Sequence, residues 1–298
     1  MTWTTGSMPD LSGRTAVVTG ATGGIGYPTA LELARRGARV VLAARSPEKG
    51  RDAVARIRHK APGARVEYRR LDLADLASVR EFAAGLDAAA DAAVDTVDLL
   101  INNAGVLLLS RQETRDGFEA HFGVNHLGHF ALTGLLLPKL LARPGARVVT
   151  VSSNAHSSGR IDFDDLGQER TFKRSAAYGT SKLANLLFTL ELHRRAARAG
   201  ADLLPVATHP GVTATNIFDL GPFQFLLRLL LKPAGTGARP SLYAATSPDV
   251  RGGDFIGPRL RRLTPSATAR SEEVARRLWE ASAELTGVTY GELGRRLG

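Results

Sequence analysis

The chain has 298 residues, of which 44% are hydrophobic, so it is long enough and apolar enough to bury the core of one α/β domain. It has no cysteine, which excludes disulfide bonds, thiolate metal sites and a cysteine nucleophile. The formal net charge is +10, but the arginines are scattered among acidic residues, so we predict a basic surface and no nucleic-acid partner.

The N-terminal segment, residues 1–10, is polar and lacks an apolar core, which predicts a disordered leader and argues against a signal peptide. No stretch reaches the roughly 18 apolar residues that a membrane span requires. We therefore predict no membrane span and a cytoplasmic location.

From Arg14 onward, short β-branched runs alternate with longer runs rich in Ala and Leu. This βαβα pattern predicts an α/β fold: a single doubly wound Rossmann domain over 11–298, with a parallel sheet of about seven strands and helices on both faces. The predicted strands are 15–19, 38–43, 65–70, 96–101, 147–151, 202–208 and 253–257. The main predicted helices are 24–36, 47–60, 75–92, 118–141, 178–199, 237–246 and 271–284.

The first strand runs directly into a glycine-rich turn, TGATGGIG at 19–26, that opens a helix. Strand, turn and helix N-terminus in this order predict a dinucleotide site, because the helix N-terminus offers free N–H groups to phosphates. Gly20 allows the tight turn, Gly24 lets the backbone approach a pyrophosphate, and Gly26 allows the helix to pack closely on the strand. The alternative is a glycine-rich loop without function. The predicted contacts in this turn are Gly20, Thr22, Gly24, Ile25 and Gly26.

The second strand ends at Ala44 and Arg45, where NAD-specific folds carry an acid that binds the ribose 2′-hydroxyl. An arginine at this place can pair with a 2′-phosphate. We therefore predict NADP, with NAD still possible. The alternative is a solvated arginine.

Two further strand ends contribute candidate cofactor contacts. Asp72, followed by Leu73, could accept from the adenine amino group or cap the helix that starts near Asp75. The fourth strand ends in NNAG, whose amides could order a loop beside a cofactor or be purely structural. The candidates in this motif are Asn103, Ala104 and Gly105.

Asn125 lies within a predicted helix, where asparagine is unfavourable unless its side chain has a local task. His126 and His129 follow, but no further ligand lies at a metal-site spacing. An amphipathic helix explains both histidines, so we predict no metal site.

Tyr178 and Lys182, which follow Ser153 at the end of the fifth strand, are four residues apart and so lie on one face of a helix. A nearby ammonium favours the phenolate and lowers the tyrosine pKa from about 10, which would allow proton exchange with a substrate hydroxyl or carbonyl. Alone, this spacing is weak, since it also fits a surface tyrosine and lysine.

An apolar run at 223–231 lies between two prolines, inside the segment 211–236. We predict that this segment is a substrate lid over an apolar pocket, with contact to a membrane surface as the alternative.

Taken together, the motifs resemble those of the short-chain dehydrogenase/reductase family along nearly the whole chain. The matching segments are TGATGGIG at 19–26, NNAG at 102–105, Asn125, Ser153, YGTSK at 178–182 and HPGVTAT at 209–215. Within the family the chain looks most like the retinol-dehydrogenase-like branch. The segments that suggest this branch are NHLGHF at 125–130, SKLANLLFT at 181–189 and ARRLWEASAELTG at 275–287.

The resemblance implies a catalytic tetrad of Asn125, Ser153, Tyr178 and Lys182. In it, Tyr178 would be the general acid or base, and Ser153 would bind the substrate oxygen. Lys182 would bind the nicotinamide ribose and lower the tyrosine pKa, and Asn125 would hold a relay water.

The resemblance also implies cofactor contacts from Asn103 on the adenosine side and from residues after the sixth strand, namely Pro210, Gly211, Val212 and Thr215. One departure concerns the glycine-rich turn, where many relatives place a basic residue and this chain has Thr22 and Gly23. Arg45 is thereby left as the main predicted determinant for NADP.

The predicted function is an NADP-dependent oxidoreductase that interconverts an alcohol and a carbonyl on a lipophilic small molecule, with a homo-oligomer as the assembly to be tested. The alternative from another class is a non-catalytic NAD(P)-binding regulatory protein of the same fold. A sugar-nucleotide epimerase shares the Tyr–Lys spacing, but NNAG and the TGxxxGIG spacing argue against it.

Overall fold

The computed structural model describes residues 3–87, 93–211 and 234–294. Within them, seven parallel strands form one sheet in the order β3-β2-β1-β4-β5-β6-β7, which confirms the predicted doubly wound α/β fold. The strands are β1 (Thr15–Thr19), β2 (Arg39–Ala44), β3 (Val66–Arg70), β4 (Leu99–Asn102), β5 (Ala146–Val151), β6 (Leu203–Thr208) and β7 (Phe255–Ile256).

Helices cover both faces of the sheet. They are α1 (Gly26–Arg35), α2 (Pro47–Lys60), α3 (Leu76–Gly85), α4 (Ala120–Phe122), α5 (Gly128–Leu135), α6 (Leu137–Leu141), α7 (Arg174–Arg198), α8 (Ala234–Thr246), α9 (Glu272–Thr286) and α10 (Gly291–Gly294), and a π-helical turn, Gly123–Leu127, joins α4 to α5. The predicted lid falls mostly on residues 212–233, which lie outside the described residues.

The sheet separates two hydrophobic cores, because successive residues of a strand point to opposite faces. In β1, Val17 joins the core under α3, α5 and α7, whereas Ala16 and Val18 join the core under α1, α2 and α8. Every residue of β1 is buried, as expected for a central parallel strand that is covered on both faces.

The strand order places a crevice at the carboxyl ends of the strands. β1 pairs with β2 on one side and with β4 on the other. The chain therefore leaves β1 toward one edge of the sheet and leaves β4 toward the opposite edge. Open α/β sheets bind ligands at such a switch point. The glycine-rich turn after β1 and the NNAG turn after β4 therefore both face this crevice.

Two element boundaries differ from the prediction for identifiable reasons. β4 begins at Leu99 and not at residue 96, because the Val97 amide donates to the Lys139 carbonyl of α6 (3.1 Å) and not to a neighbouring strand. The long helix predicted over 118–141 is divided by the π-helical turn and again before α6, which has a proline in its first turn.

The predicted disordered leader is corrected for residues 3–10. Met8 is buried in the core beside α1, Arg36 Nη2 donates to the Thr5 carbonyl (2.7 Å), and Arg239 Nη2 donates to the Trp3 carbonyl (2.7 Å). The Trp3 ring also meets Tyr243 edge to face. Apolar Met and Trp side chains among polar residues supply the contacts that order this segment.

Candidate active site

A cavity of about 590 Å³ opens at the carboxyl ends of the strands, where the crevice lies. Most of the predicted site residues line it. They are Gly20, Thr22, Gly24, Ile25, Arg45, Asp72, Leu73, Asn103, Ala104, Gly105, Ser153, Tyr178, Lys182, Pro210 and Gly211. Gly26 and Asn125 lie behind the cavity wall, and the predicted contacts Val212 and Thr215 lie outside the described residues.

The glycine-rich turn has the backbone geometry that the sequence predicts. Gly20 and Gly24 have positive φ angles, +66° and +51°, in the region that side chains disfavour. A Cβ at Gly26 would overlap the Gly20 carbonyl oxygen and lie 2.6 Å from Asn103 Nδ2. The first turn of α1 can therefore approach β1 and β4 only with glycine at this position.

The edge of the cavity after β2 carries two cations, not one. Arg45 is exposed and lines the cavity, and so do Ser46 and Lys49. Ser46 is the N-cap of α2, and its hydroxyl accepts from the Lys49 amide at 3.3 Å. Ser46 and Lys49 were not predicted as site residues, although a Ser-Pro pair after a strand marks a helix start and places Lys49 in its first turn.

Asp72 lines the cavity and is not the cap of α3. Its Oδ1 accepts from the Ala74 amide at 3.0 Å, whereas Asp75 caps the helix by accepting from Ala77 and Ser78. The alternative of a helix cap is therefore wrong for Asp72. Its carboxylate instead closes the turn that leads into α3.

The NNAG turn is fastened to β1 through Thr19. The Thr19 hydroxyl accepts from the amides of Asn103 and Ala104, each at 2.9 Å, and Asn103 Nδ2 donates to the Thr19 carbonyl at 2.8 Å. The Asn103 side chain thus has a structural task while the residue lines the cavity. The structural alternative for this motif is therefore supported, and its contact with a cofactor stays a prediction.

Asn125 lies in the π-helical turn and is fully buried. Its Oδ1 accepts from the Val106 amide (2.7 Å), and its Nδ2 donates to the Val106 carbonyl (3.1 Å) and to Ser181 Oγ (3.0 Å). The side chain therefore joins the loop after β4 to the helix that carries Tyr178. These contacts are the local task that its presence within a helical segment predicts.

Lys182 is almost entirely buried, at 2% exposure, although it carries an amine. Its Nζ donates to the Val151 carbonyl at 3.2 Å, and burial lowers its pKa to about 8. Asn185 Nδ2 donates to the same carbonyl at 3.1 Å. The amine is therefore held at the end of β5, in the wall of the cavity.

Tyr178 and Ser153 lie together in the cavity, but the tyrosine pKa differs from the prediction. Burial raises the pKa of Tyr178 to about 12, and the interaction with the Ser153 hydroxyl only partly opposes this rise. Lys182 Nζ lies 5.5 Å from the centre of the tyrosine ring and hydrogen-bonds to Val151 instead. Desolvation dominates at Tyr178, so the predicted lowering of the tyrosine pKa is wrong.

The histidines near Asn125 have structural partners. His126 Nε2 pairs with Ser282 Oγ (2.8 Å), and His129 bridges Thr19 Oγ1 (2.9 Å) and the Asn125 carbonyl (3.0 Å). Burial lowers the pKa of His126 to about 3 and that of His129 to about 4, so both are neutral. Among the described residues, no group of three or more potential metal ligands occurs.

The cavity has the features that a nicotinamide dinucleotide requires. One end has a backbone turn that tolerates no side chain at Gly26, beside the exposed cations Arg45 and Lys49. The other end has a tyrosine hydroxyl, a serine hydroxyl and a buried amine within one wall. The first set suits phosphates and the second suits proton transfer to an oxygen.

Comparisons with known proteins also match this chain to dehydrogenases. Residues 14–220 match the family described as short chain dehydrogenase. The chain is 46% identical to human retinol dehydrogenase 13 over 299 residues, covering 95% of this chain and 87% of the relative. It is 42% identical to mouse polyprenol dehydrogenase over 299 residues, covering 96% and 87%. A solved structure of an uncharacterised protein from Mycobacterium paratuberculosis is 42% identical, with a TM-score of 0.81 over 97% of this chain and 99% of that one.

The part of the chain that the structure describes contains no helix with the length and apolar character needed to cross a membrane.

Proposed function

The chain belongs to the short-chain dehydrogenase/reductase family, and is thereby an NAD(P)-dependent oxidoreductase that acts on CH–OH groups; we propose that it uses NADP(H) to interconvert an alcohol and a carbonyl on a lipophilic molecule. The identities to retinol dehydrogenases also confirm the predicted branch of the family. The observation that carries the proposal is the joint presence of Tyr178, Ser153 and buried Lys182 in the cavity that begins at the glycine-rich turn.

In this proposal, the cofactor supplies or accepts the hydride when it is bound. Tyr178 donates a proton to the carbonyl oxygen during reduction and accepts it from the hydroxyl during oxidation. The Ser153 hydroxyl binds the same oxygen and stabilises the negative charge that develops on it. The neighbouring contact between Ser153 and Tyr178 supports these paired roles.

Lys182 would hold the ribose hydroxyls of the cofactor, and the arrangement around Val151 supports this role. The ammonium has three donors, of which the Val151 carbonyl takes one, so it can bind a ribose with the others or turn away from Val151 altogether. That carbonyl keeps a second donor, Asn185 Nδ2, so the buried acceptor stays satisfied. Asn125, behind the wall, fixes the loop at Val106 and the helix at Ser181.

The preference for NADP(H) rests on the charges after β2. Ala44 stands where an acid would bind a ribose 2′-hydroxyl, and Arg45 and Lys49 line the same edge of the cavity. Two cations next to the N-terminus of α2 suit a 2′-phosphate, since helix N-termini favour anions.

The lipophilic substrate is supported by the relatives. Retinol and polyprenol, after which two of them are named, both carry a primary hydroxyl at the end of an isoprenoid chain. On the substrate side of the cavity, Val106 lines the wall and the nearby Leu109 side chain is 63% exposed. An apolar chain entering past these residues would bring a terminal CH–OH or aldehyde to Tyr178.

The test compares NADPH with NADH in the reduction of all-trans-retinal, with glyceraldehyde as a polar substrate. We expect turnover of retinal with NADPH, and Arg45→Asp should lower kcat/KM for NADPH about 10–100-fold, because it removes a charge-assisted contact and adds repulsion. Lys49→Ala should produce a smaller loss of the same kind.

The matched control is Arg51→Asp, which makes the same charge change on an exposed residue of α2 that does not line the cavity. It should leave the ratio of NADPH to NADH rates unchanged. Equal use of NADH and NADPH by the wild type would contradict the assignment of Arg45, and turnover of glyceraldehyde but not retinal would contradict the lipophilic substrate.

A further inference from the structure

Two side chains one helical turn apart hold the loop that follows NNAG. Asn125 pairs with both backbone groups of Val106, and His121 Nε2 accepts from the Leu108 amide at 2.9 Å. Val106 and Leu108 are two residues apart, the spacing at which an extended segment repeats its orientation. The loop is therefore fixed at two successive points by one helical segment, and only Asn125 belongs to the predicted tetrad.

Glu119 fixes which nitrogen of His121 carries the proton. Glu119 Oε1 accepts from the His121 amide (2.9 Å) and lies 2.6 Å from His121 Nδ1, while Oε2 accepts from the Phe122 amide (2.8 Å). Burial raises the pKa of Glu119, but the hydrogen bonds from His121 and Phe122 outweigh it and the pKa is lowered. The ionised carboxylate can only accept, so Nδ1 carries the proton and Nε2 is free to accept from Leu108.

The His121 ring also connects the loop after β4 with the segment that precedes α7, and both lie beside Tyr178. It stacks on Phe172 with ring centres 6.0 Å apart and meets the Tyr178 ring edge to face at 6.4 Å. His121 is completely buried and Glu119 is 1% exposed. Nearby, Arg111 Nε donates to the Gly167 carbonyl at 3.0 Å and joins the same two loops a second time.

The loop that His121 holds is apolar and lies between the cavity and solvent. Residues 106–109 read Val-Leu-Leu-Leu, Val106 lines the cavity, and Leu109 is one of the large apolar side chains that stay exposed. This apolar segment therefore borders the same cavity that Tyr178 lines.

We propose that Glu119 and His121 are positioning residues, which hold residues 106–109 as the substrate-side wall next to Tyr178 and so set the orientation of a lipophilic substrate. This inference rests on the proposed function for the identity of the substrate. Neither residue touches the reacting atoms: His121 acts through the Leu108 amide and the rings of Phe172 and Tyr178.

The tautomer is tested directly by the two-bond ¹H–¹⁵N NMR spectrum of the histidine rings in the full-length chain. We expect His121 to show a protonated Nδ1 and an unprotonated Nε2. In Glu119→Gln, the side-chain amide can donate to Nδ1 and move the proton to Nε2, which removes the acceptor for Leu108. A wild-type His121 with a protonated Nε2 would overturn the proposal.

The loop contact is tested by amide exchange and kinetics in His121→Phe and His121→Gln. Phenylalanine keeps the ring contacts but has no acceptor, so exchange of the Leu108 amide should rise about tenfold, the effect of one lost hydrogen bond. The KM for all-trans-retinal should rise several-fold more than kcat falls. Glutamine places an amide oxygen near the position of Nε2, so it should restore slow exchange and most of the KM.

NADPH affinity provides the control for folding, because His121 does not line the dinucleotide end of the cavity. It should stay within about twofold in both variants, a change well below the tenfold effect expected for one hydrogen bond. A His121→Phe protein with unchanged Leu108 exchange, or with faster exchange but an unchanged KM, would overturn the positioning role. A wild type that binds NADPH but does not reduce retinal contradicts the proposed function alone, and Leu108 exchange then decides the assignment of the loop.

Discussion

The two ends of the cavity are built in different ways. At the dinucleotide end, after β1 and β2, the site is mainly backbone. Gly20 and Gly24 have positive φ angles, and the start of α1 excludes a side chain at Gly26. The exposed side chain of Arg45 lies beside this turn. At the catalytic end, after β4 and β5, the site consists of polar side chains that are buried or, in the case of Tyr178, half-buried. These side chains are Asn125, Tyr178, Lys182, Glu119 and His121.

The difference matters for stability. A backbone turn exposes its N–H groups to a ligand without burying a charge, so it takes little from the free energy of folding. A buried amine loses its hydration and, among the residues that the structure describes, regains one carbonyl partner, Val151, which makes the catalytic end unfavourable for folding. We therefore expect substitutions at the catalytic end to separate activity from stability, and substitutions at the dinucleotide end to reduce both.

The largest expected effect is on turnover in Tyr178→Phe. The substitution keeps the ring that packs against His121 but removes the hydroxyl that exchanges the proton. The rate of retinal reduction should fall roughly 10²–10⁴-fold, the usual contribution of general acid catalysis. Single-turnover measurements with NADPH report this step without product release.

The control for Tyr178→Phe is cofactor binding, measured by titration with NADPH, which should be nearly unchanged. Near-normal turnover in this variant would show that the proton comes from another group.

The next largest effect is expected in the unfolding free energy of Lys182→Met. Methionine fills much of the same volume without a buried charge, and the Val151 carbonyl keeps Asn185 as a donor. Because burial lowers the lysine pKa from 10.5 to about 8, the folded protein should become more stable by up to about 3 kcal/mol at pH 7, while activity is lost. Urea unfolding measures this difference.

The pH dependence of this gain follows from the direction of the pKa shift. Between the folded value of about 8 and the unfolded value of 10.5, the unfolded chain binds more protons, so wild-type stability rises with pH in this window. The advantage of Lys182→Met should therefore be complete below pH 8 and shrink as the pH rises toward 10.5. An advantage that does not change with pH would point to packing instead of the charge.

The smallest expected effect is at the dinucleotide end, in Gly26→Ala. The added methyl group would overlap the Gly20 carbonyl oxygen and press on Asn103, so backbone must move. We expect a loss of about 1–3 kcal/mol in unfolding free energy, typical of overpacking, together with weaker NADPH binding. Thermal unfolding with and without NADPH measures both effects.

Gly85→Ala is the matched control, because a methyl group at the end of α3 meets no atom of the described residues within 4 Å. It should be neutral or slightly stabilising, since alanine favours a helix more than glycine does. If Gly26→Ala behaved in the same way, close packing of α1 on β1 would not be what requires glycine at that position.

The parts of the molecule that could be predicted from the sequence depend on short-range geometry. The bounds of β1 and α2 agree with the prediction, because a β-branched run before a glycine turn and the Ser46-Pro47 pair are local signals. The spacing of Tyr178 and Lys182 likewise predicts one helix face, and both lie on α7. The order of strands and helices was enough for the fold class.

Only the tertiary structure decided the pKa values and the hydrogen-bond partners of the side chains in the candidate site. Sequence spacing places Lys182 near Tyr178, but the burial that lowers one pKa and raises the other comes from the whole wall around them. The contacts of His121 with Leu108 and of Lys182 with Val151 join segments that no local pattern connects. A short pattern fixes the distance between neighbours along one helix, whereas desolvation and hydrogen-bond partners depend on every segment that folds against it.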